Sequence, residues 1–306
     1  MDLSKRGHLT PAEKTMISQT LQIFTLDGIA GSLGDMKGRI MFHGGTSIST
    51  IHGSPRWSED LDFVVSPSMS NDLDAVREEV ERQAAERIDE VTPGAKFELV
   101  DKGKARGKVR EADPGTVMRW TGRWEHPSRI GVVKIKTEFY IAEPDITALY
   151  TTFDATGEAV GIETYHPIPA ATLDTIWADK IMAMSARPAM KWRDVYDMGY
   201  VMDHMGQMSD DDLYKRLEVA CASYRSSMTT ICDGLQRDYL ADLSSNYQTF
   251  KNDMQSWLPG MAFDKAEELG ALEKYHEACV TQIDRARMMI NARVAEPDDE
   301  DYACGF

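Results

Sequence analysis

The sequence predicts an α+β fold, with a mixed β-sheet in the N-terminal half and helices throughout the C-terminal half. Three observations support this prediction. Short apolar runs typical of strands recur between residues 39 and 141. One of them, Gly131–Ile141, alternates between polar and apolar residues, as a half-buried strand does. Beyond about Pro169 such runs stop, and long stretches with helical periodicity follow.

The N-terminal half is expected to begin with a helix. Thr10 and Pro11 are typical of a helix start, since Thr caps the first turn and Pro fits within it, and the helix is expected to run toward Leu33. A second, charged helix is expected over Asn71–Ile88. Strands are expected at Arg39–His43, Leu61–Val65, Phe97–Val100, Val117–Gly122 and Gly131–Ile141, with a short helix over Thr46–His52.

The sequence pattern predicts helices throughout the C-terminal half. Its expected helices are Ala170–Ala186, Lys191–His204, Asp210–Ser226, Leu235–Trp257 and Asp264–Ala292. Together the patterns predict four segments. These are an N-terminal helical segment at 1–37, a core that holds the sheet at 38–168, a helical domain at 169–295 and an acidic tail at 296–306.

Composition excludes several classes of protein. No apolar run approaches the roughly 18–20 residues that span a bilayer, and the first residues are polar, so we expect a cytoplasmic protein without membrane contact. The cysteines show no CxxC spacing and the histidines no HxxxH pair, which argues against a disulfide framework or a zinc site. The four cysteines are Cys221, Cys232, Cys279 and Cys304.

Charge is distributed unevenly along the chain. The net charge of −16 argues against broad non-specific binding to nucleic acid, which requires a cationic surface. Between Lys102 and Lys136, however, ten basic and three acidic residues give a local charge of +7 and leave −23 elsewhere. Such a basic strip can hold a polyanion in one orientation, although a solvated hairpin or loop is an equal alternative. The ten are Lys102, Lys104, Arg106, Lys108, Arg110, Arg119, Arg123, Arg129, Lys134 and Lys136.

The pair Asp60 and Asp62 is the most informative feature for chemistry. Side chains at i and i+2 of a strand point the same way, so the two carboxylates should lie side by side. Two like charges so close repel each other unless a cation lies between them. Oxygen-only ligands suit Mg²⁺ or Mn²⁺, and two such ions can align an attacking oxygen with a phosphorus centre.

A diglycine turn precedes the acid pair. Gly44 and Gly45 stand where a strand runs into a helix, an arrangement that presents backbone N–H groups to an anion. Thr46 and Ser47 can add hydroxyl donors to a triphosphate. Glu138 supplies a third carboxylate if its strand lies beside Leu61–Val65. The combination indicates phosphoryl or nucleotidyl transfer, although each part alone is common.

The same residues resemble a known family. Gly44–Thr46 with the string Pro55–Phe63, which contains Ser-Glu-Asp-Leu-Asp-Phe, resembles the AbiEii/AbiGii nucleotidyltransferase toxins of the DNA polymerase beta superfamily. A second block, Ala178–Ile181 followed by Lys191–Asp197, matches the family's helix lysine and its Arg-Asp-x-Tyr-Asp string. The resemblance covers about residues 38–205. It implies a polymerase-beta-like nucleotidyltransferase core followed by a helical domain.

The resemblance also implies a function. Members belong to type IV toxin–antitoxin or phage-defence systems, with a separately encoded antitoxin, and related MenT-type toxins add nucleotides from an NTP to the tRNA 3′ end. It implies that Asp60 and Asp62 bind Mg²⁺ or Mn²⁺, with Glu138, in Lys-Thr-Glu, as the third ligand. It further implies that Lys180 contacts the triphosphate and that Asp194 is a site residue.

Elementary chemistry is consistent with these later roles. Lys180 is a long cation that can reach the β and γ phosphates of an NTP. Asp194 can orient Lys180 or Arg193, or act as a base on an acceptor hydroxyl, and Arg193 is a candidate nucleotide contact. The alternatives are a surface lysine on a helix and an ion pair at a helix start. Arg56 and Ser58 flank the acid pair and are further candidates for contacting phosphate.

Two other functions remain open from the sequence. An enzyme of this kind can transfer its nucleotide to a protein or a small molecule, which the acidic net charge slightly favours over RNA. A protein of this fold can also bind NTP without catalysis, although the intact acid pair argues against that. The identity of the NTP and of the acceptor is not encoded in any spacing along the chain.

Overall fold

The structure is a computed structural model that describes residues 7–70, 72–102, 115–143, 150–237, 240 and 243–294. It divides into two units, Met1–Thr172 and Leu173–Phe306. Four residues of the predicted basic strip lie outside the described residues, as do the acidic tail at 296–306 and Cys304. The four strip residues are Lys104, Arg106, Lys108 and Arg110.

The N-terminal unit begins with a capped helix, α1, over Pro11–Ser32. The Thr10 hydroxyl accepts a hydrogen bond from the Glu13 amide at 3.2 Å, while the Glu13 carboxylate accepts from the Thr10 amide at 2.9 Å. This reciprocal capping box satisfies two amides that the first turn leaves without partners. The predicted start of the helix is therefore confirmed.

The strands and remaining helices of this unit follow in chain order. The strands are β1 (Gly7–His8), β2 (Ile40–His43), β3 (Asp60–Val65), β4 (Lys96–Asp101), β5 (Val117–Glu125), β6 (Arg129–Ile130), β7 (Val133–Ile141), β8 (Thr152–Ala155), β9 (Glu158–Ala159), β10 (Ile162–Glu163) and β11 (Ile168–Ala171). The helices after α1 are a 3₁₀ turn at Gly34–Arg39, α2 (Gly44–Thr50), α3 (Pro67–Ser70) and α4 (Leu73–Val91).

Seven strands form one mixed sheet in the order β4-β5-β7-β3-β2-β11-β8. Strand β3 lies between β7, with which it runs parallel, and β2, with which it runs antiparallel. Helices α1 and α4 pack over one face, where aromatic rings fill the core. The rings of Phe63 and Phe139 stack with centroids 5.2 Å apart, and Trp120 meets Phe139 edge-on at 4.4 Å. The predicted mixed sheet is confirmed.

The strands at the end of this unit were not predicted. Residues 152–171 contribute β8, the β9–β10 hairpin and β11, all of four residues or fewer. The helix predicted from Ala170 instead begins at Leu173, because Ile168–Ala171 pairs with β8 and β2. Strands this short show no readable alternation, and β2, the central partner of β11, lies far away in the sequence.

The C-terminal unit is helical, as predicted. Its helices are α5 (Leu173–Ala186), α6 (Trp192–His204), α7 (Asp210–Ser223), α8 (Met228–Leu235), a 3₁₀ turn (Leu243–Ser245), α9 (Tyr247–Trp257), α10 (Gly260–Glu268) and α11 (Ala271–Val294). Close helix contacts depend on glycine. A Cβ placed on Gly199 would lie 2.4 Å from the Tyr275 Cα, so α6 packs against α11 only without a side chain there.

Two of the predicted helices were wrong in their extent. The stretch Leu235–Trp257 is not one helix, because α8 ends at Leu235, a 3₁₀ turn follows and α9 starts only at Tyr247. The stretch Asp264–Ala292 is broken at Gly270, whose φ of +67° is the left-handed conformation that ends a helix. Within the described residues, no helix is both long and apolar enough to cross a bilayer.

Candidate active site

The acid pair lies at the start of β3. Asp60 and Asp62 are half-buried on one face of the strand, while Leu61 and Phe63 are buried on the face that packs against the helices. The two carboxylates therefore share a face of the sheet, as alternation along a strand requires. This face carries the polar side chains of the central strands.

Strand β7 brings the third acid beside the pair. In the parallel register, Asp62 lies opposite Glu138 and Asp60 lies opposite Lys136. The Lys136 ammonium is 3.4 Å from the Asp60 carboxylate, and the Arg119 guanidinium of β5 is 2.8 Å from the Glu138 carboxylate. The three acids therefore lie beside two cations on neighbouring strands. Each of these cations offsets part of the repulsion among the acids.

The diglycine turn packs directly against the acid strand. Gly44 has a φ of +77°, and a Cβ placed on it would lie 2.6 Å from the Asp62 Oδ2. A Cβ on Gly45 would lie 2.5 Å from the Arg56 Nη2. Gly44 has a left-handed φ and Gly45 lies against the Arg56 guanidinium, so the glycines let the turn from β2 into α2 pack closely on Asp62 and Arg56.

Replacing Gly44 with alanine is expected to lower the free energy of unfolding by roughly 1–2 kcal/mol, because an L-residue is strained at this φ. The added methyl group also displaces the Asp62 carboxylate. Urea denaturation measures the change. Gly38→Ala is the matched control, since a Cβ there meets nothing within 4 Å. Equal unfolding midpoints for the two variants would contradict the close contact between the turn and Asp62.

The two hydroxyls after the glycines face the protein interior. Thr46 is buried, and its hydroxyl donates a short hydrogen bond to the Asp60 carbonyl, which ties α2 to the acid strand. Ser47 is fully buried, and its hydroxyl has no hydrogen-bond partner among the described residues. Arg56, which sequence reasoning identified as a further candidate for contacting phosphate, is also buried. Its guanidinium donates a hydrogen bond to the Trp57 carbonyl at 2.6 Å.

The donor set fits a hard divalent cation in its chemistry. Asp60, Asp62 and Glu138 offer oxygen atoms only, which Mg²⁺ and Mn²⁺ prefer. Within the described ranges, however, no three His, Cys, Asp or Glu side chains converge closely enough to hold a metal ion. Two of the three carboxylates instead contact Lys136 and Arg119. Asp60, Asp62 and Glu138 are the residues that would hold a cation, and the metal site stays a prediction.

A second group of predicted site residues lies in the C-terminal unit. Lys180 of α5 is buried, and its ammonium contacts the Asp194 carboxylate at 2.9 Å and the Asp197 carboxylate at 2.5 Å. Both aspartates project from α6 and are almost entirely buried. Arg187 also pairs with Asp194. Three buried charged groups and the partly exposed Arg187 thus form one cluster, which we call the Lys180 cluster.

Sequence reasoning found only part of this cluster. It singled out Lys180 and Asp194 but omitted Asp197 and Arg187. Asp197 follows Asp194 by three residues on α6, so helical periodicity places both on one face and could have identified it. Arg187 lies after the end of α5, where no periodicity applies. Arg193, predicted as a nucleotide contact, places its guanidinium 4.8 Å from the centre of the Trp257 ring, and its nucleotide contact stays a prediction.

The described cysteines are unsuited to nucleophilic chemistry. Burial raises the pKa of the Cys279 thiol to about 12 and that of Cys221 to about 11. Both therefore stay protonated at neutral pH, and the thiolate is the reactive form. Cys232 is buried as well.

Comparison with known families gives one match over most of the chain. The family described as "Nucleotidyl transferase AbiEii toxin, Type IV TA system" matches residues 30–268. The matched range includes the acid pair, the diglycine turn and the Lys180 cluster. No curated protein matches the chain.

Two solved structures are similar to this chain at 14% sequence identity. The nucleotidyltransferase toxin MenT4 (Rv2826c) from Mycobacterium tuberculosis H37Rv has a TM-score of 0.48, with 95% of this chain and 92% of MenT4 covered. JHP933 from Helicobacter pylori has a TM-score of 0.46, with 92% of this chain and 95% of JHP933 covered.

Proposed function

The chain belongs to the AbiEii family of type IV toxin–antitoxin nucleotidyltransferases, and from this premise we propose that it transfers a nucleoside monophosphate from an NTP to an RNA acceptor, the tRNA 3′ end, and so blocks translation. Membership of the family implies an antitoxin partner. The proposed reaction depends on Mg²⁺ or Mn²⁺. It takes place in the cytoplasm, where NTPs and tRNA are found. The proposal includes a role in phage defence.

The geometry of β3 carries this proposal. Asp60 and Asp62 share one face of the strand, with Glu138 in register beside them and the Gly44 turn packed against Asp62. In nucleotidyl transfer the acceptor hydroxyl loses its proton, its oxygen bonds to the α phosphorus, and diphosphate leaves. A divalent cation bound at the acid pair would neutralise the triphosphate and polarise the bond that breaks. The carboxylates would hold this cation on the side of the sheet that solvent reaches.

The diglycine turn is the proposed contact for the triphosphate. Gly44 and Gly45 add no side chains of their own to the β2–α2 turn, so its backbone N–H groups are the proposed donors to the anion. Thr46 contributes indirectly, since its bond to the Asp60 carbonyl fixes the turn relative to the acid strand. Ser47 is retained as a hydroxyl donor in the proposal, although burial means that the turn must open slightly for it to reach a phosphate.

The Lys180 cluster is the proposed second anion contact. Asp194 and Asp197 fix the position of the Lys180 ammonium, so these aspartates act as positioning residues. The family resemblance supports a contact between Lys180 and the triphosphate. Arg193 enters the proposal as a nucleotide contact whose guanidinium must leave the Trp257 ring to reach it.

A labelling experiment tests the proposal. The protein is incubated with Mg²⁺, total RNA and each of the four NTPs in turn, labelled on the α phosphate. Label is expected on RNA of tRNA size with at least one NTP. The same NTP labelled on the γ phosphate should give no labelled RNA, because nucleotidyl transfer releases that phosphate in diphosphate. Transfer of the γ label instead would show a kinase reaction and contradict the proposal.

A different acceptor is the second candidate. The net charge of −16 repels RNA at long range and does not oppose transfer to a protein or a small molecule. Label found only on protein or small molecules would replace the RNA acceptor with that class. NTP binding without label on any acceptor would indicate a catalytically silent NTP-binding protein.

A further inference from the structure

Two of the three acids lie against cations of neighbouring strands. Asp60 lies opposite Lys136 in the register of β3 and β7. Glu138 lies opposite Arg119 in the register of β5 and β7. The distance from ammonium to carboxylate is 3.4 Å in the first pair, and that from guanidinium to carboxylate is 2.8 Å in the second. Positive charges of the chain itself therefore lie against the oxygen atoms that a divalent cation would need.

The two members of each pair differ in exposure. The side chains of Asp60 and Glu138 are 27% and 29% exposed, whereas those of their cationic partners are 60% and 58% exposed. The cations therefore reach the acids from the solvent side. Ion pairs with so exposed a member contribute little to stability, so they break at small cost. Lys136 makes the longer contact of the two, and its partner is the acid that shares β3 with Asp62.

The contact between Lys136 and Asp60 is incompatible with a divalent cation on the same carboxylate. Mg²⁺ binds oxygen ligands directly, at about 2.0–2.1 Å. An ammonium 3.4 Å from that carboxylate would then lie beside a charge of +2, which repels it. Lys136 can turn away, because a lysine side chain is flexible and its ammonium has three rotatable donors. In the proposed reaction the triphosphate brings new acceptor oxygens to the same face of the sheet.

We propose that Lys136 exchanges partners on substrate binding: it neutralises Asp60 in the free protein and contacts the triphosphate once a divalent cation is bound to the acids. This inference rests on the proposed function and adds a nucleotide-binding residue to it. Lys136 lies across β3 from β2 and the Gly44 turn, so two strand spacings, roughly 10 Å, separate their backbones. A triphosphate on the turn would thus be held from both sides of the acid strand.

Binding measurements test the exchange apart from catalysis. Calorimetry of Lys136→Gln follows two kinds of ligand: Mn²⁺ alone, and the α,β-methylene analogues of the four NTPs at saturating Mn²⁺. Mn²⁺ should bind roughly two- to fivefold more tightly than to the wild type, because the competing ammonium is gone. The analogue that the wild type binds best should bind at least about tenfold more weakly, because a charged contact with phosphate is lost. A variant that is merely misfolded would not change the two affinities in opposite directions.

The matched control is Lys134→Gln, which removes a lysine from the same face of β7, about 6–7 Å along the strand from Lys136. It should leave analogue binding unchanged and strengthen Mn²⁺ binding less than Lys136→Gln does. Equal changes in the two variants would overturn the inference in favour of a general effect of charge. Unchanged binding by Lys136→Gln would overturn it in favour of a permanent ion pair, and so would a wild-type protein that binds neither Mn²⁺ nor any analogue. The α-phosphate labelling experiment decides the proposed function independently, since it measures transfer by the wild type.

Discussion

Replacing Asp60 and Asp62 together with asparagine is expected to reduce nucleotide transfer by at least about a thousandfold. The change removes both negative charges that would hold the cation and keeps the size of the side chains. The fold should survive, because the β3 backbone pairs with β2 and β7 without using either carboxylate. The bond from Thr46 to the Asp60 carbonyl also remains, since it uses the backbone.

Two measurements check this result. The first is transfer of α-phosphate label in the assay described above, and the second is binding of Mn²⁺ followed by calorimetry. The control Asp154→Asn/Glu158→Gln removes two exposed charges from the same unit, away from β3, and should transfer nucleotide normally. If the Asp60/Asp62 variant retains wild-type transfer, or binds Mn²⁺ as tightly as the control does, the acid pair is not the cation site.

Replacing Lys180 with methionine is expected to lower the free energy of unfolding by about 3–5 kcal/mol. Methionine fills much of the same volume, so the loss comes mainly from electrostatics. The ammonium contacts two carboxylates that are almost completely removed from water, and Arg187 pairs with Asp194. Without Lys180, Asp197 loses the cation nearest to it while it remains buried.

A charge-balanced variant separates this cause from packing. Lys180→Met/Asp197→Asn removes one charge of each sign and leaves Asp194 with Arg187, so it should recover much of the lost stability. The control Lys215→Met, on the exposed side of α7, should change the unfolding free energy by less than about 0.5 kcal/mol. Urea denaturation measures all three variants. Unfolding of Lys180→Met at the same urea concentration as Lys215→Met would contradict the buried pairing.

The balanced variant also addresses the proposed contact with the triphosphate. If it is folded yet transfers nucleotide poorly, lost stability no longer explains the defect, and the ammonium itself is required. If it transfers at the wild-type rate, Lys180 stabilises the helical unit and contacts no phosphate.

Local patterns predicted the parts of the site that depend on neighbouring residues. The shared face of Asp60 and Asp62 follows from alternation along one strand, and the need for glycine at position 44 follows from the abrupt turn between a strand and a helix. Glu138 was predicted to lie beside Asp62 only on the condition that its strand pairs with β3, and the sequence pattern alone did not predict that pairing. The register between β3 and β7 supplies that condition.

Other features were not predicted because they arise between distant segments. The pairing of Arg119 with Glu138 depends on the register between β5 and β7. The burial of Lys180 depends on how α6 packs against α5, since a lysine in an apolar helix can also lie at its exposed edge. The short strand β11 depends on its pairing with β2, more than a hundred residues earlier in the chain, and carries little signal of its own.

The parallel pairing of β3 with β7 has a consequence for protein synthesis. The acid pair leaves the ribosome early, but Glu138 emerges only after α4, β4 and β5 have been translated, and β11 beside β2 emerges later still. Pairing between strands so distant in the chain is slow and cannot begin before both exist. A nascent chain that ends before β7 therefore lacks Glu138, so the three acids come together only after most of the N-terminal unit has been synthesised.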